Sequence, residues 1–206
     1  MSRRIRTGKA WRKGLIGGAT SIFLCSSAEA HLVTTGLGPV YDGMSHMLLT
    51  PEDLLPILAL TLYAGLRGAP YSRSVLFLLP AAWLIGGLIG ISLNVTINPA
   101  LATISLLFFG GLVASDARLP RPVVSALAAA LGLFHGFLNG AAMEEADLGV
   151  LGLVGIVATA FVMVSLIASF VVPLQVNWLR IAVRVLGSWI AAIGLLMLGW
   201  AVGSQG

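Results

Sequence analysis

His135 lies in the run Leu133-Phe134-His135-Gly136-Phe137-Leu138-Asn139-Gly140, deep inside an apolar stretch. An imidazole in hydrocarbon needs a polar partner or a water-lined cavity, and packing alone would be served better by an apolar side chain. Asn139 follows one turn later, so on a helix the two side chains share a face. A second group precedes the first long apolar run: Asp42-Gly43-Met44-Ser45-His46, then Thr50-Pro51-Glu52-Asp53. Asp42 and His46 share a face if their segment is helical. Thr50 before Pro51 reads as a helix start, with Glu52 and Asp53 in the first turn, where acids complement the helix dipole. That accounts for the two acids but not for His46. Imidazoles and carboxylates without thiols form a ligand set for Ni²⁺, Zn²⁺ or Cu²⁺. His31 completes the histidines. Cleavage after Ala30 would set its α-amine beside its own imidazole, a pair able to chelate a divalent ion. The candidate metal ligands are therefore His46, His135, Asp53, Glu52, Asp42, His31 and Asn139.

Other chemistries find no footing. No Walker loop, GxSxG elbow, HExxH or dinucleotide fingerprint occurs. Ser45, Ser92, Ser105, Ser165 and Ser169 have no base partner visible in the sequence, so no catalytic residue, enzyme activity or permanent cofactor is expected. Ser105→Ala reads as a mild change elsewhere in the bundle. The only cysteine, Cys25, falls before Ala30, leaving the rest of the chain without thiolate ligands or disulfides.

The elements that must position these residues are membrane helices. Mean hydropathy is 0.98, with 10% charged residues, far outside the soluble range. Residues 1–30 read as a signal peptide: Arg3, Arg4, Arg6, Lys9, Arg12 and Lys13, then an apolar run Leu15–Leu24, then Ala28-Glu29-Ala30. Half of the twelve Lys and Arg residues sit in that leader. The basic pI of about 9.8 thus belongs to a segment expected to be removed, and a nucleic-acid partner is not expected. The remaining domain, 31–206, carries six Arg against seven acids.

Six spans are expected, at about 52–66, 74–93, 97–115, 122–142, 148–172 and 181–203, joined by short loops that set neighbours antiparallel. The fold class is an all-α, polytopic helix bundle of six transmembrane helices after a cleaved signal peptide. With His31 outside, Arg67, Arg73, Arg118, Arg121, Arg180 and Arg184 fall in or beside cytoplasmic loops, as the positive-inside rule requires. Asp42, Glu52, Asp53, Glu144, Glu145 and Asp147 fall outside, and Asp116 is the one cytoplasmic acid. That places the chain in the bacterial inner membrane with a periplasmic mature N-terminus. Glycines at three- and four-residue spacing (Gly86, Gly87, Gly90; Gly132, Gly136; Gly149, Gly152, Gly155) read as close helix contacts. Trp83, Trp178, Trp189 and Trp200 read as interfacial anchors or packing residues.

On these residues the chain resembles the HupE/UreJ family of bacterial membrane proteins. Phe134-His135-Gly136 with Gly140 is similar to the family's fourth-span motif F-H-G-x-[AV]-x-G-x-E, with Ala142 where the motif has Glu. His46 followed by Glu52-Asp53 is similar to the first-span motif H-x5-D-H, with Asp53 where the motif has His. Asn98 to Gly110, with Ser105 between, is similar to the third span. The resemblance implies a signal peptide, six spans and uptake of nickel, sometimes cobalt, linked to hydrogenase and urease maturation. The reading is a secondary permease for a divalent transition metal, nickel first, with cobalt, copper or zinc as other cargo. Its partners are the ion and the lipid bilayer, with a homo-oligomer or a metalloenzyme-maturation partner left open. The alternative is a non-transporting module that binds metal and delivers it to a periplasmic or membrane partner.

Overall fold

The computed structural model describes residues 35–93, 100–173 and 176–203, all within one unit, Leu32–Gly206. The leader, His31 and the Asn98-Pro99 pair lie outside the described residues. Among those described, every regular element is a helix: α1 (Pro39–Leu49), α2 (Pro51–Arg67), α3 (Ala69–Leu93), α4 (Ala100–Ser115), α5 (Arg121–Glu145), α6 (Gly149–Val171) and α7 (Asn177–Gly203). Prolines occupy the first turns of α1, α2 and α5, where the missing N–H removes no helical bond.

Each of the six expected spans contains a helix, but two differ from expectation. The first is preceded by α1, and the two meet at 70° across Thr50. Thr50 is extended (φ −98°, ψ 101°), the conformation that a following proline imposes, and its N–H closes α1 on the His46 carbonyl at 3.0 Å. The third, α4, has 16 residues and spans about 24 Å, short of the roughly 30 Å of a hydrocarbon core. Four helices, α3, α5, α6 and α7, are long and apolar enough to cross a membrane, and α1 with α2 makes a fifth if the bent pair is one span. The chain is a multi-pass membrane protein on this composition. Large apolar side chains such as Phe77, Leu151, Phe170 and Leu196 are exposed, which suits lipid rather than water.

α3 lies along α5, α4 along α7 and α1 along α6, while α2 runs between them and touches most of the others. The α3–α5 contact is backbone on backbone. A Cβ at Gly136 would land on the Trp83 carbonyl, and one at Gly140 on that of Gly87. In lipid, where apolar burial does not drive association, such approach supplies the packing. Trp83 is fully buried, so of its two expected roles it takes packing. Trp178 and Trp200 are exposed near the ends of α7, as anchors would be.

The C-terminal end of α2 is tied to the segment joining α4 and α5. Arg67 bonds Asp116 Oδ1 at 2.9 Å and the carbonyls of Asp116 (3.1 Å) and Ala117 (2.6 Å). Its guanidinium lies 4.4 Å over the Tyr63 ring. Tyr63 Oη donates to the Ala117 carbonyl and accepts from the Leu119 N–H. Burial pushes the Asp116 carboxyl up, but Arg67, with Arg180 and Arg184 beyond it, outweighs this and holds it below its ordinary 3.8. A carboxyl depressed on folding adds stability that is complete above its ordinary value and is lost as pH falls through the lower folded value. The melting temperature of the detergent-solubilised protein should therefore drop as pH falls below about 4. Asp116→Asn should melt lower than the parent at pH 7 and lose part of that acid dependence. Parallel curves for the two proteins would remove Asp116 from the account.

Candidate metal centre

Asp53, in the first turn of α2, is buried and gathers the polar side chains around it. His135 Nδ1 lies 2.7 Å from Asp53 Oδ1. Asn139 Nδ2 lies 3.0 Å from each carboxylate oxygen and 2.9 Å from the His135 carbonyl. Three acceptors around one nitrogen fix which way that amide faces. His46 Nε2 stands 3.7 Å from Asp53 Oδ2, and His135 Nε2 stands 2.9 Å from Ser105 Oγ on α4. Four helices thus contribute to one buried polar cluster.

Local structure explains the convergence. α5 sets His135 and Asn139 one turn apart, while the neighbouring Gly136 and Gly140 hold its backbone against α3. That contact brings Trp83 over the imidazole, ring centroids 5.5 Å apart, with Phe134 edge-on at 5.3 Å. The sharp turn at Thr50 folds α1 back so that His46 faces the start of α2. The Thr50 hydroxyl does not cap α2 and instead makes a long 3.5 Å contact with His46 Nδ1.

Of the residues singled out in the sequence, His46, Asp53, His135 and Asn139 come together. Asp42 shares helix α1 with His46, but its carboxylate bonds the N–H and hydroxyl of Thr35, at 2.5 and 2.6 Å. Glu52 is half-buried and takes no part in the bonds around Asp53. Glu144, Glu145 and Asp147 are exposed around the end of α5, so the cluster draws its acid from α2. Ser105 overturns an expectation: far from being elsewhere in the bundle, it touches the imidazole. A serine that bonds its own preceding turn, here the Ala102 carbonyl at 2.7 Å, leaves no trace in a sequence, and its partner is 30 residues away.

The donor set is nitrogen and oxygen. Among the described residues no three His, Cys, Asp or Glu side chains form one group able to hold a metal ion. His46 and His135 instead approach different oxygens of the same carboxylate, closed up by hydrogen bonds. Asn139 Oδ1 is buried with no hydrogen-bond partner, as is Nε1 of the overlying Trp83. A buried acceptor without a donor is costly, and a cation beside Asp53 is one group that would satisfy it. Trp83 and Phe134 wall the imidazole off, and low polarity there strengthens any charge interaction.

The sequence matches a family model described as HupE / UreJ protein over residues 19–197. No curated protein and no solved structure matches the chain.

Proposed function

The chain belongs to the HupE/UreJ family, and from that premise we propose that it is a secondary permease for a divalent transition metal ion, nickel first, taken from the periplasmic side. The family is associated with nickel or cobalt transport or accessory roles. The observation that carries the reading is the buried Asp53 cluster: one carboxylate, two imidazoles and an amide with a free oxygen. Its nitrogen and oxygen donors suit Ni²⁺, Co²⁺, Zn²⁺ and Cu²⁺. The topology proposed with it has residues 1–30 removed, His31 at a periplasmic N-terminus and six spans in the inner membrane, the α1–α2 pair and α4 each counting as one. The arginine cluster at Arg67 then lies on the cytoplasmic side. An inward-negative potential favours cation entry by about 2.3 kcal/mol per charge per 100 mV. Reaction chemistry forms no part of the proposal, and a metalloenzyme-maturation partner would receive the ion inside.

A second reading has its own observation. From Asp53 inward, the same face of α2 presents Ile57, Leu60 and Ala64, all fully buried, before Arg67. Between Asp53 and Arg67 α2 carries no imidazole or carboxylate, only the hydroxyls of Thr61 and Tyr63, which suits a module that binds metal from outside and hands it to a periplasmic or membrane partner. Proteoliposomes loaded with the purified chain separate the two. A permease accumulates radiolabelled nickel under an inside-negative potential and saturates with concentration. A delivery module binds nickel in detergent but leaves the vesicle lumen empty. A chain that neither binds nor transports nickel, cobalt, copper or zinc would sink both.

A further inference from the structure

Building on the metal-binding reading above, we propose that Ser105 is a positioning residue that commits His135 Nε2 to carrying a hydrogen and so presents Nδ1 to the metal beside Asp53. The argument is a count of hydrogens. A serine hydroxyl has one hydrogen and two acceptor lone pairs. Ser105 Oγ lies 2.7 Å from the Ala102 carbonyl oxygen, which has no hydrogen to give, so the hydroxyl donates there. The second contact, 2.9 Å to His135 Nε2, must then run the other way, with Nε2–H donating to Ser105 Oγ. A bare Nε2 at that distance would set lone pair against lone pair.

The same count puts a hydrogen on Nδ1, which faces the Asp53 carboxylate oxygen Oδ1 at 2.7 Å; with Nε2 committed to Ser105, this is the hydrogen that leaves as a proton when an ion binds, and Nδ1 is the ligand nitrogen. Two ligands bound at about 2.1 Å and roughly at right angles to one ion are about 3 Å apart. From the hydrogen-bond distance they now hold, Nδ1 and Oδ1 would part by about a few tenths of an ångström to form such an edge. The imidazole is held at both ends, by a carboxylate from α2 and a hydroxyl from α4, and cannot turn over without losing both. Metal-binding histidines elsewhere have their second nitrogen fixed by an outer partner in this way. Here that partner is the hydroxyl of a helix that packs mainly against α7. Ser105 does not itself ligate in this scheme, because its hydroxyl is occupied twice.

The test uses the full chain reconstituted in lipid, with ¹⁵N-labelled histidine, and the nickel ion as probe. The nitrogen spectrum of the metal-free protein, with His135 assigned by its loss in His135→Gln, should show Nε2 protonated. Ser105→Ala should shift that resonance and weaken nickel binding by about 10- to 100-fold. Ser105→Thr, which keeps the hydroxyl, should restore both the resonance and most of the affinity. A bare Nε2 in the parent overturns the assignment, and it does so without any variant having to fold. A parent that binds nickel, with Ser105→Ala binding equally well, overturns the role of Ser105 alone. A parent that binds no nickel overturns this role together with the permease reading.

Discussion

Asp53→Asn should remove metal binding while leaving the bundle folded. The substitution keeps shape and one acceptor oxygen, so His135 and Asn139 lose least in packing. What disappears is the negative charge at the one point where both imidazoles and the amide converge. A neutral amide at this position leaves the divalent ion without the one carboxylate charge of the cluster. Changes in outer-shell partners cost about 10- to 100-fold in metal affinity, and loss of the central ligand should exceed that. Asp116→Asn is the natural comparison. It deletes an identical charge next to Arg67, 14 residues along α2 and about 21 Å away. Isothermal titration with nickel near neutral pH should show the parent and Asp116→Asn alike and Asp53→Asn without measurable binding. Equal binding by all three would mean that Asp53 only organises the core.

Much of this centre was legible in the chain, for reasons that differ residue by residue. His135 stands out because its surroundings are apolar and its chemistry is not. Asn139 follows from helical period alone. Asp53 is visible as an acid at a helix start, although position cannot tell an acid that serves the helix dipole from one that turns inward. Glu52, its neighbour, shows the ambiguity: the same reading selected both, and only Asp53 receives the bonds. Asp42 is a candidate because it lies four residues from His46, and α1 does put them on one helix. Its carboxylate nevertheless belongs to Thr35, a local bond that the spacing of Asp42 and His46 could not reveal.

Ser105 and the Arg67–Asp116 pair were illegible for another reason. Each joins helices that are distant in sequence, and neither side chain breaks the pattern of its own segment. The fold shows the same division. Apolar length and punctuation identify the helices, whereas the 70° turn between α1 and α2 arises from one extended residue before a proline. α1 has 11 residues, too few to announce a span, yet it is the element that carries His46.

The two histidines should not be equal, and their ranking tests the geometry more sharply than loss of function does. His135 is fully buried, bonded at both nitrogens and covered by Trp83. His135→Ala would leave the Asp53 carboxylate without its shortest partner, strand the Ser105 contact and open a cavity beneath the indole. Losing one partner of a buried charged pair costs on the order of 3–5 kcal/mol, so this variant should melt well below the parent as well as lose metal. His46 is less enclosed and stands 3.7 Å from Asp53, too far for a good hydrogen bond. His46→Ala leaves Asp53 held by His135 and Asn139, and stability should stay close to the parent's. If His46 ligates, moving into range as the ion enters, nickel affinity should still fall by about 10-fold or more. Melting curves and nickel titrations on the two histidine variants decide the matter. If His46→Ala is the more damaging to stability, or if it binds nickel as the parent does, the two histidines do not share the Asp53 centre.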